Sequence, residues 1–306
     1  MNHHIPILCD EIIEKLIDKP KGIYMDCTVG FGGHAEQILN NIDKDGFLIG
    51  LDIDPYALDE SEKKLKKCFK NYSLFNSSYI EFPKILNEMK LDKVDGFLFD
   101  LGISSYQVDA THRGFSFMTD GPLDMRFNQD KKTKTAKDLL YTLDVENLCN
   151  IIKIYGEEKY AKRIAKNIIK YANQKKLNTT FDLKNAICQS IPSFKNHKSL
   201  ARVFQAIRIA VNNEIEVLKQ TLKNCIKHLN KDGRIAIITF HSIEDRIVKH
   251  FFKDSTIYEN SSYNIEYKNN GIEFELINKK PITPSKNELN KNSRSRSAKL
   301  RVAKIL

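Results

Sequence analysis

Asp26-Cys27-Thr28-Val29-Gly30-Phe31-Gly32-Gly33-His34, followed by Leu51-Asp52-Ile53-Asp54-Pro55, reads as a strand, a glycine turn, a helix, a second strand and a terminal acid. The apolar run from Gly22 to Val29 is short and suits a buried strand. Glycines 30, 32 and 33 permit a sharp turn and a close backbone approach to a ligand. The helix expected from His34 to Asn41 points its N-terminus at that ligand. Asp52 lies about 20 residues past the glycines, where a ribose hydroxyl needs an acceptor. The stretch therefore predicts a nucleoside-cofactor pocket at the C-terminal edge of a parallel sheet.

Two cofactors fit such a pocket. A dinucleotide fingerprint reads G-x-G-x-x-G, with a pyrophosphate on the helix N-terminus. Here the spacing is Gly30-x-Gly32-Gly33 and the third glycine is missing. Asp26, just before the loop, would repel a pyrophosphate but can pair with the ammonium of a methionine moiety. The pattern favours S-adenosylmethionine over NAD. The bland reading, a tight strand–helix turn without a ligand, is weakened by the second acid at the right distance.

The alternation of strand and helix extends over the first hundred residues. Strands are expected near 23–28, 47–52, 72–75 and 94–99, and helices near 8–18, 34–41, 55–69 and 79–89. That order argues for a parallel sheet with helices on both faces. It stops after Asp100-Leu101-Gly102-Ile103-Ser104-Ser105. An irregular stretch from Tyr106 to Phe127 is longer than ordinary connections, and such loops tend to be functional. Only helical patterns follow, starting at Leu139, Leu140 and Leu143, then Ala161 to Ile169, then Phe181 to Ile191. In the second, Lys159, Lys162, Arg163, Lys166 and Lys170 lie opposite the apolar stripe. A long helix is expected from Arg202 to Leu229, broken at Lys231-Asp232-Gly233, then a strand 234–240, a helix 243–252 and a closing hairpin over 265–277. The expected division is a core in two parts, 1–105 and 206–280, a helical insertion 106–205 for substrate recognition, and a basic tail 281–306.

The chain has 306 residues and a formal net charge of +10, which suits a polyanionic partner such as nucleic acid. No apolar run approaches about 18 residues, so no membrane span is expected. Met1 to Pro6 lacks a basic segment followed by an apolar one, so no secretory signal and a cytoplasmic setting are expected. The six cysteines form no C-x-x-C pair, which points to buried reduced thiols and no metal.

Several segments together resemble one family. They include His4-Ile5-Pro6, Asp26 to His34, Asp100 to Gln107, Arg113-Gly114-Phe115-Ser116-Phe117 and Gly121-Pro122-Leu123-Asp124-Met125-Arg126. Arg202 to Arg208, Phe240 to Arg246 and Ser293 to Arg301 complete the set. The chain is similar to the MraW family of methyltransferases from its first residues to its last. The resemblance implies a class I, Rossmann-like α/β methyltransferase core with an inserted α-helical domain. It implies S-adenosylmethionine-dependent methylation of the N4 amine of one cytidine in the decoding region of bacterial 16S rRNA, near the P site. It also assigns the cofactor to Gly32, Gly33, His34, Asp52, Tyr79, Asp100 and Gln107. Tyr79 stands where the family often has Phe, so an aromatic face is kept. Asn292 replaces a proline before the Ser-Arg-Ser-Arg run, which implies a looser start to the tail.

The chemistry needs an acceptor for the amine protons, because a cytosine N4 lone pair is delocalised into the ring. Asp100 or Asp124 is the candidate. Many amino-methyltransferases place Asp/Asn-Pro-Pro-aromatic after the fourth strand. This chain has Asp100-Leu101-Gly102-Ile103, so the aromatic clamp is expected from Phe115 or Phe117. Asp109, Arg113, Asp124 and Arg126 read either as a base-binding lid or as an ion-pair network holding the loop. His241, at the end of the fifth strand, reads as a contact to base or phosphate, or as a strand-end histidine bonded to backbone. Arg294 and Arg296 are candidate phosphate contacts. The competing functions are an amino-methyltransferase acting on DNA or protein, an RNA-binding assembly factor without catalysis, and, weakest, an NAD-dependent oxidoreductase.

Overall fold

The structure is a computed structural model, and it describes residues 6–68, 70–129, 133–254, 256–258, 266–268 and 274–306. Five strands, β1 (Ile23–Asp26), β2 (Phe47–Asp52), β3 (Tyr72–Asn76), β4 (Val94–Asp100) and β5 (Leu229–Thr239), pair in parallel. A two-stranded ribbon joins β6 (Thr256–Tyr258) to β7 (Glu266–Lys268). The main sheet closes with β8 (Phe274–Leu276) and β9 (Lys299–Ile305), giving the order β3-β2-β1-β4-β5-β9-β8. β9 runs antiparallel to β5 and to β8.

Alternation along each strand builds two cores, one on each face. Along β4, Phe97 and Phe99 enter one cluster with Met25, Ile49 and Ile237, while Leu98 enters the other with Tyr24, Leu48 and Ala236. The first face is covered by α4 (Phe82–Glu88), α11 (Glu214–Lys227) and α12 (Ser242–Asp254). The second is covered by α1 (Cys9–Leu16), α2 (Gly33–Asn41) and α3 (Pro55–Leu65). A parallel sheet buried on both faces is the doubly wound α/β arrangement. Asp54 caps α3 by accepting from Tyr56 N, and Pro55 supplies its first-turn residue.

The chain divides into two compact units, 1–102 with 216–306, and 103–215. The second is helical: α5 (Ser105–Asp109), α6 (Ala136–Thr142), α7 (Val145–Gly156), α8 (Ala161–Asn173), α9 (Thr180–Cys188) and α10 (Asn196–Asn212). It has its own core, with Leu140, Leu148, Ile152, Ile164, Ile168, Leu183 and Phe204 buried. Capping boxes at Ser104/Gln107, Thr135/Asp138 and Thr179/Asp182 start α5, α6 and α9.

Five expectations change. The helix expected over 202–229 is two helices, because Asn213 turns left-handed at φ 51° between α10 and α11. Lys231-Asp232-Gly233 does not end an element; it is absorbed in β5, where pairing passes from Val94↔Leu229 to Gly96↔Arg234 across a bulge. Phe274–Leu276 pairs with β9. Ile265 and residues 269–273 of the expected hairpin, like His4-Ile5 and residue 69, lie outside the described residues. The basic end is no simple tail. Leu300, Val302 and Ala303 are buried in the sheet, and Lys299 and Arg301 both bond Asp245 of α12. A short closing helix, α13 (Lys286–Lys291), precedes it. Asn292 does not loosen this region: its Oδ1 accepts from Arg294 N at 3.1 Å and caps the next turn.

All six cysteines are unbridged, and Cys27 and Cys225 are buried in the first core. Among the described residues, no helix is long and apolar enough to cross a membrane.

Candidate active site

Four adjacent parallel strands, β2, β1, β4 and β5, bring Asp52, Asp26, Asp100 and His241 to one sheet edge. This is the carboxyl edge where open α/β sheets bind ligands, at the point where the strand order reverses.

Asp26 is buried at 1 % exposure. Its Oδ1 accepts from Thr28 N at 3.1 Å, and its Oδ2 has no partner among the described residues. Burial pushes its carboxyl up to about 7; His34 and the Thr28 N–H oppose the shift, and the neighbouring Asp100 and Asp52 add to it. Asp100 is largely buried beside it. Its backbone N–H donates to Thr28 Oγ1 at 2.6 Å, fixing the end of β4 against β1. Asp100 Oδ1 likewise has no partner among the described residues. Burial, then the charge of Glu244, raises this carboxyl to about 7. Two carboxylates with unmatched buried oxygens, side by side, are costly in isolation and await a cationic or hydrogen-bonding ligand.

The glycine turn lies beside them. Gly32 sits at φ 75°, and a Cβ there would come within 3.0 Å of Ser61 Cβ. Gly32 caps α2, and His34 follows in its first turn. His34 is buried; its Nε2–H donates to the Ile7 carbonyl at 2.8 Å, so its Nδ1 faces Asp100 Oδ2 at 3.7 Å. Burial lowers the imidazole below its ordinary value, so a neutral ring and not an ion pair stands beside Asp100. Asp52 is held by two backbone donors, Gly30 N at 2.7 Å and Asp54 N at 2.9 Å. Burial nonetheless raises it to about 6, with those two N–H groups opposing. Its oxygens keep lone pairs for the hydroxyls of a ribose. Tyr79 follows β3 in a short 3-10 turn, edge-on to Phe99 with centroids 5.8 Å apart.

His241 is oriented by Glu244, three residues on. Its Nδ1 accepts from Glu244 N at 3.3 Å, and its Nε2 stands 3.1 Å from Glu244 Oε1. Glu244 is itself 3 % exposed and also accepts from Phe240 N at 2.9 Å. Sequence reasoning gave no role to Glu244 or Thr28. The His-x-x-Glu spacing at a helix start could have flagged Glu244. Nothing local flags Thr28, whose partner is 72 residues away.

The remaining candidates lie in the helical unit, apart from two arginines. Gln107 is buried, and its Oε1 accepts from Ser104 N at 3.1 Å in the capping box. Arg113 is 4 % exposed and donates to the carbonyls of Arg126 and Phe127 at 3.1 and 2.9 Å. Asp124 accepts from Arg126 N, Nε and Nη2 and from Gln129 Nε2. Burial works against its charge, but these donors win and hold it below the usual carboxylate range. Phe115 is buried against Phe127 with centroids 5.8 Å apart, while Phe117 packs edge-on to His197 and Phe204. Arg113 is thus tied to the Arg126 backbone, and Arg126 to Asp124. Arg294 and Arg296 are exposed on the turn before β9. No group of three or more His, Cys, Asp or Glu that could hold a metal occurs among the described residues.

Several known proteins similar to this chain along its whole length carry one description. A ribosomal RNA small subunit methyltransferase H from Caldicellulosiruptor saccharolyticus is 45 % identical over 306 residues, covering 99 % of each chain. Proteins of the same name from Clostridium botulinum (strain Kyoto / Type A2) and Mesoplasma florum are 43 % and 42 % identical, each covering 98 % of both chains. The model of the MraW methylase family matches residues 1–306, so the chain, with its doubly wound α/β core of the class I methyltransferase type, belongs to the MraW methylase family.

Proposed function

We propose that this enzyme methylates the exocyclic N4 amine of one cytidine in the decoding region of small-subunit (16S) ribosomal RNA, near the P site, using S-adenosylmethionine. The observation that carries the reading is the pair of buried carboxylates, Asp26 and Asp100, with unmatched oxygens at adjacent strand ends beside the glycine turn. An anionic cofactor would be repelled there. The cofactor that fits carries an ammonium and a sulfonium, and it supplies an electrophilic methyl group.

The residues divide the work by their chemistry. Gly32 and Gly33 let the backbone approach the cofactor, and His34 closes the turn as a neutral ring. Asp26 faces the amino end and Asp52 accepts from the ribose. Tyr79 offers an aromatic face to the adenine. Gln107 is assigned to the cofactor by its motif alone. Asp100 would accept a hydrogen bond from the target amine, raising the electron density on nitrogen as the new N–C bond forms and the methyl–sulfonium bond breaks to leave a neutral thioether. The amine proton then leaves toward Asp100 and solvent. Asp100 is better suited than Asp124, because four N–H donors already occupy Asp124. Alignment of amine and methyl group can contribute several kcal/mol, up to about 7–11 in the best cases. Arg113 and Arg126 hold the shape of the loop that carries Phe115 and Phe117. His241, Arg294 and Arg296 are the proposed contacts to RNA. An unpaired cytidine costs least to present, since no duplex must be opened.

The test is transfer of labelled methyl from S-adenosylmethionine to assembled small subunits, to naked 16S rRNA and to ribosomal protein alone. Label in the rRNA is the expected result. Label only in protein, or none despite cofactor binding, would overturn the proposal.

A further inference from the structure

Phe194 is 83 % exposed, more than the other exposed large hydrophobic side chains of the described residues. It sits on the Ser193–Lys195 turn that leads into α10. The turn is anchored on both sides, since Ile191 before it and Ser199 and Leu200 after it are buried. Lys195 N also donates to Pro192 O at 3.0 Å. A firmly held turn therefore presents a ring that packing does not use.

One face of that ring is braced by a cation. Lys195 Nζ lies 5.5 Å from the Phe194 centroid and 5.1 Å from that of Tyr160, and donates to Tyr160 Oη at 3.0 Å. Tyr160 immediately precedes α8. The apolar side of α8, Ile164, Ala165 and Ile168, is buried, and no acid lies on the helix. Its exposed side carries Lys162, Arg163, Lys166 and Lys170, with Lys159 just before it. From Lys162 to Lys170 this row spans about 12 Å at a helical rise of about 1.5 Å per residue. The contact between Lys195 and Tyr160 thus ties an exposed ring to the start of a purely cationic row.

We infer that Phe194 and the exposed side of α8 form an RNA-docking surface, with an unpaired base stacked on the open face of Phe194 and phosphates along α8. An acidic peptide would match the charge but would leave the planar face without a planar partner. A single strand offers both, a π face and a regular row of negative charge. The inference rests on the reading that the substrate is ribosomal RNA, and it gives the helical unit a second point of grip, distinct from the residues that hold the cofactor.

The test is binding of a labelled, naked 16S rRNA fragment containing the decoding region, measured over a series of salt concentrations with the full chain. Phe194→Ala and Phe194→Leu are each expected to weaken binding roughly five- to hundredfold, while Phe194→Trp retains it. The double variant Lys162→Gln/Arg163→Gln is expected to reduce the salt slope by between about one and two. All variants keep wild-type S-adenosylmethionine affinity. Unchanged binding by Phe194→Ala, or full binding by Phe194→Leu, would overturn the stacking role. Weakening seen only with assembled subunits would assign the ring to a ribosomal protein and overturn it equally. A wild-type chain that binds the fragment with the expected variant pattern but methylates no RNA would defeat the catalytic reading and support this one.

Discussion

Asp26 and Asp100 set the behaviour of the site at the scale of single residues. Both are raised from 3.8 to about 7 in the folded chain. The folded state therefore keeps protons that the unfolded chain releases as pH rises between those values. Stability of the cofactor-free protein is expected to fall as pH rises through that window, because the unfolded state then binds fewer protons than the folded one. Asp52, raised to about 6, acts in the same direction. Cofactor affinity is expected to run the opposite way, tightening roughly tenfold from pH 6 to 8 as the pair ionises. Calorimetric titration and thermal melting over the same pH series check both signs; melting and affinity that rise together would contradict the account. Asp100→Asn is expected to lower methyl transfer by about 100-fold or more, the scale of a lost general acid–base partner. A variant with full turnover and full cofactor affinity would remove Asp100 from the mechanism. These acids were legible from their places at strand ends. The state of His34 was not, because it depends on burial and on the Ile7 carbonyl 27 residues away.

At the scale of elements, local signals worked where they were short-ranged. The first four strands fall where alternation and apolar runs place them, and the Asp54-Pro55 start of α3 follows from capping chemistry. What failed required pairing at a distance. Periodicity runs straight through Asn213, so the division between α10 and α11 is invisible without the buried Arg208–Glu214 pair, 2.8 Å apart, that spans it. By composition β9 reads as part of a basic, phosphate-contacting tail, because Lys299, Arg301 and Lys304 dominate it. Its alternate residues are nonetheless apolar and buried. Arg301→Gln is therefore expected to destabilise the fold by about 1.5–3 kcal/mol, the range for hydrogen bonds to charged groups, and to leave RNA binding unchanged. Asp245 shows why: burial opposes its charge, yet Arg301 and Lys299 hold it below its ordinary range. Urea unfolding beside an RNA-binding assay checks this; weaker RNA binding with unchanged stability would make Arg301 a phosphate contact instead of a structural one. In the loop, Gly114 has φ 71°, and a Cβ there would meet Pro122 O at 2.1 Å. Gly114→Ala is expected to cost at least about 1–2 kcal/mol from the left-handed backbone alone, with the overlap adding to it. An unchanged urea midpoint would contradict that loop geometry.

The whole molecule joins a doubly wound sheet with two cores to a helical unit with its own core. The sheet was legible because one continuous strand–turn–helix–strand motif fixes its first crossing. The helical unit is legible in the sequence as a change of period, but α7 goes unread there although Asp144 caps it by accepting from Asn147 N. The net charge of +10 anticipated a polyanion, and the structure gives that charge one specific expression in the exposed row of α8. Under the proposed function these parts deliver a methyl group to one kind of atom. The measurement that tests this most directly is digestion of labelled 16S rRNA to nucleosides after reaction, with the labelled product identified by chromatography and mass. N4-methylcytidine is the single labelled nucleoside expected. Label on a base carbon, on a ribose or on another base would contradict it.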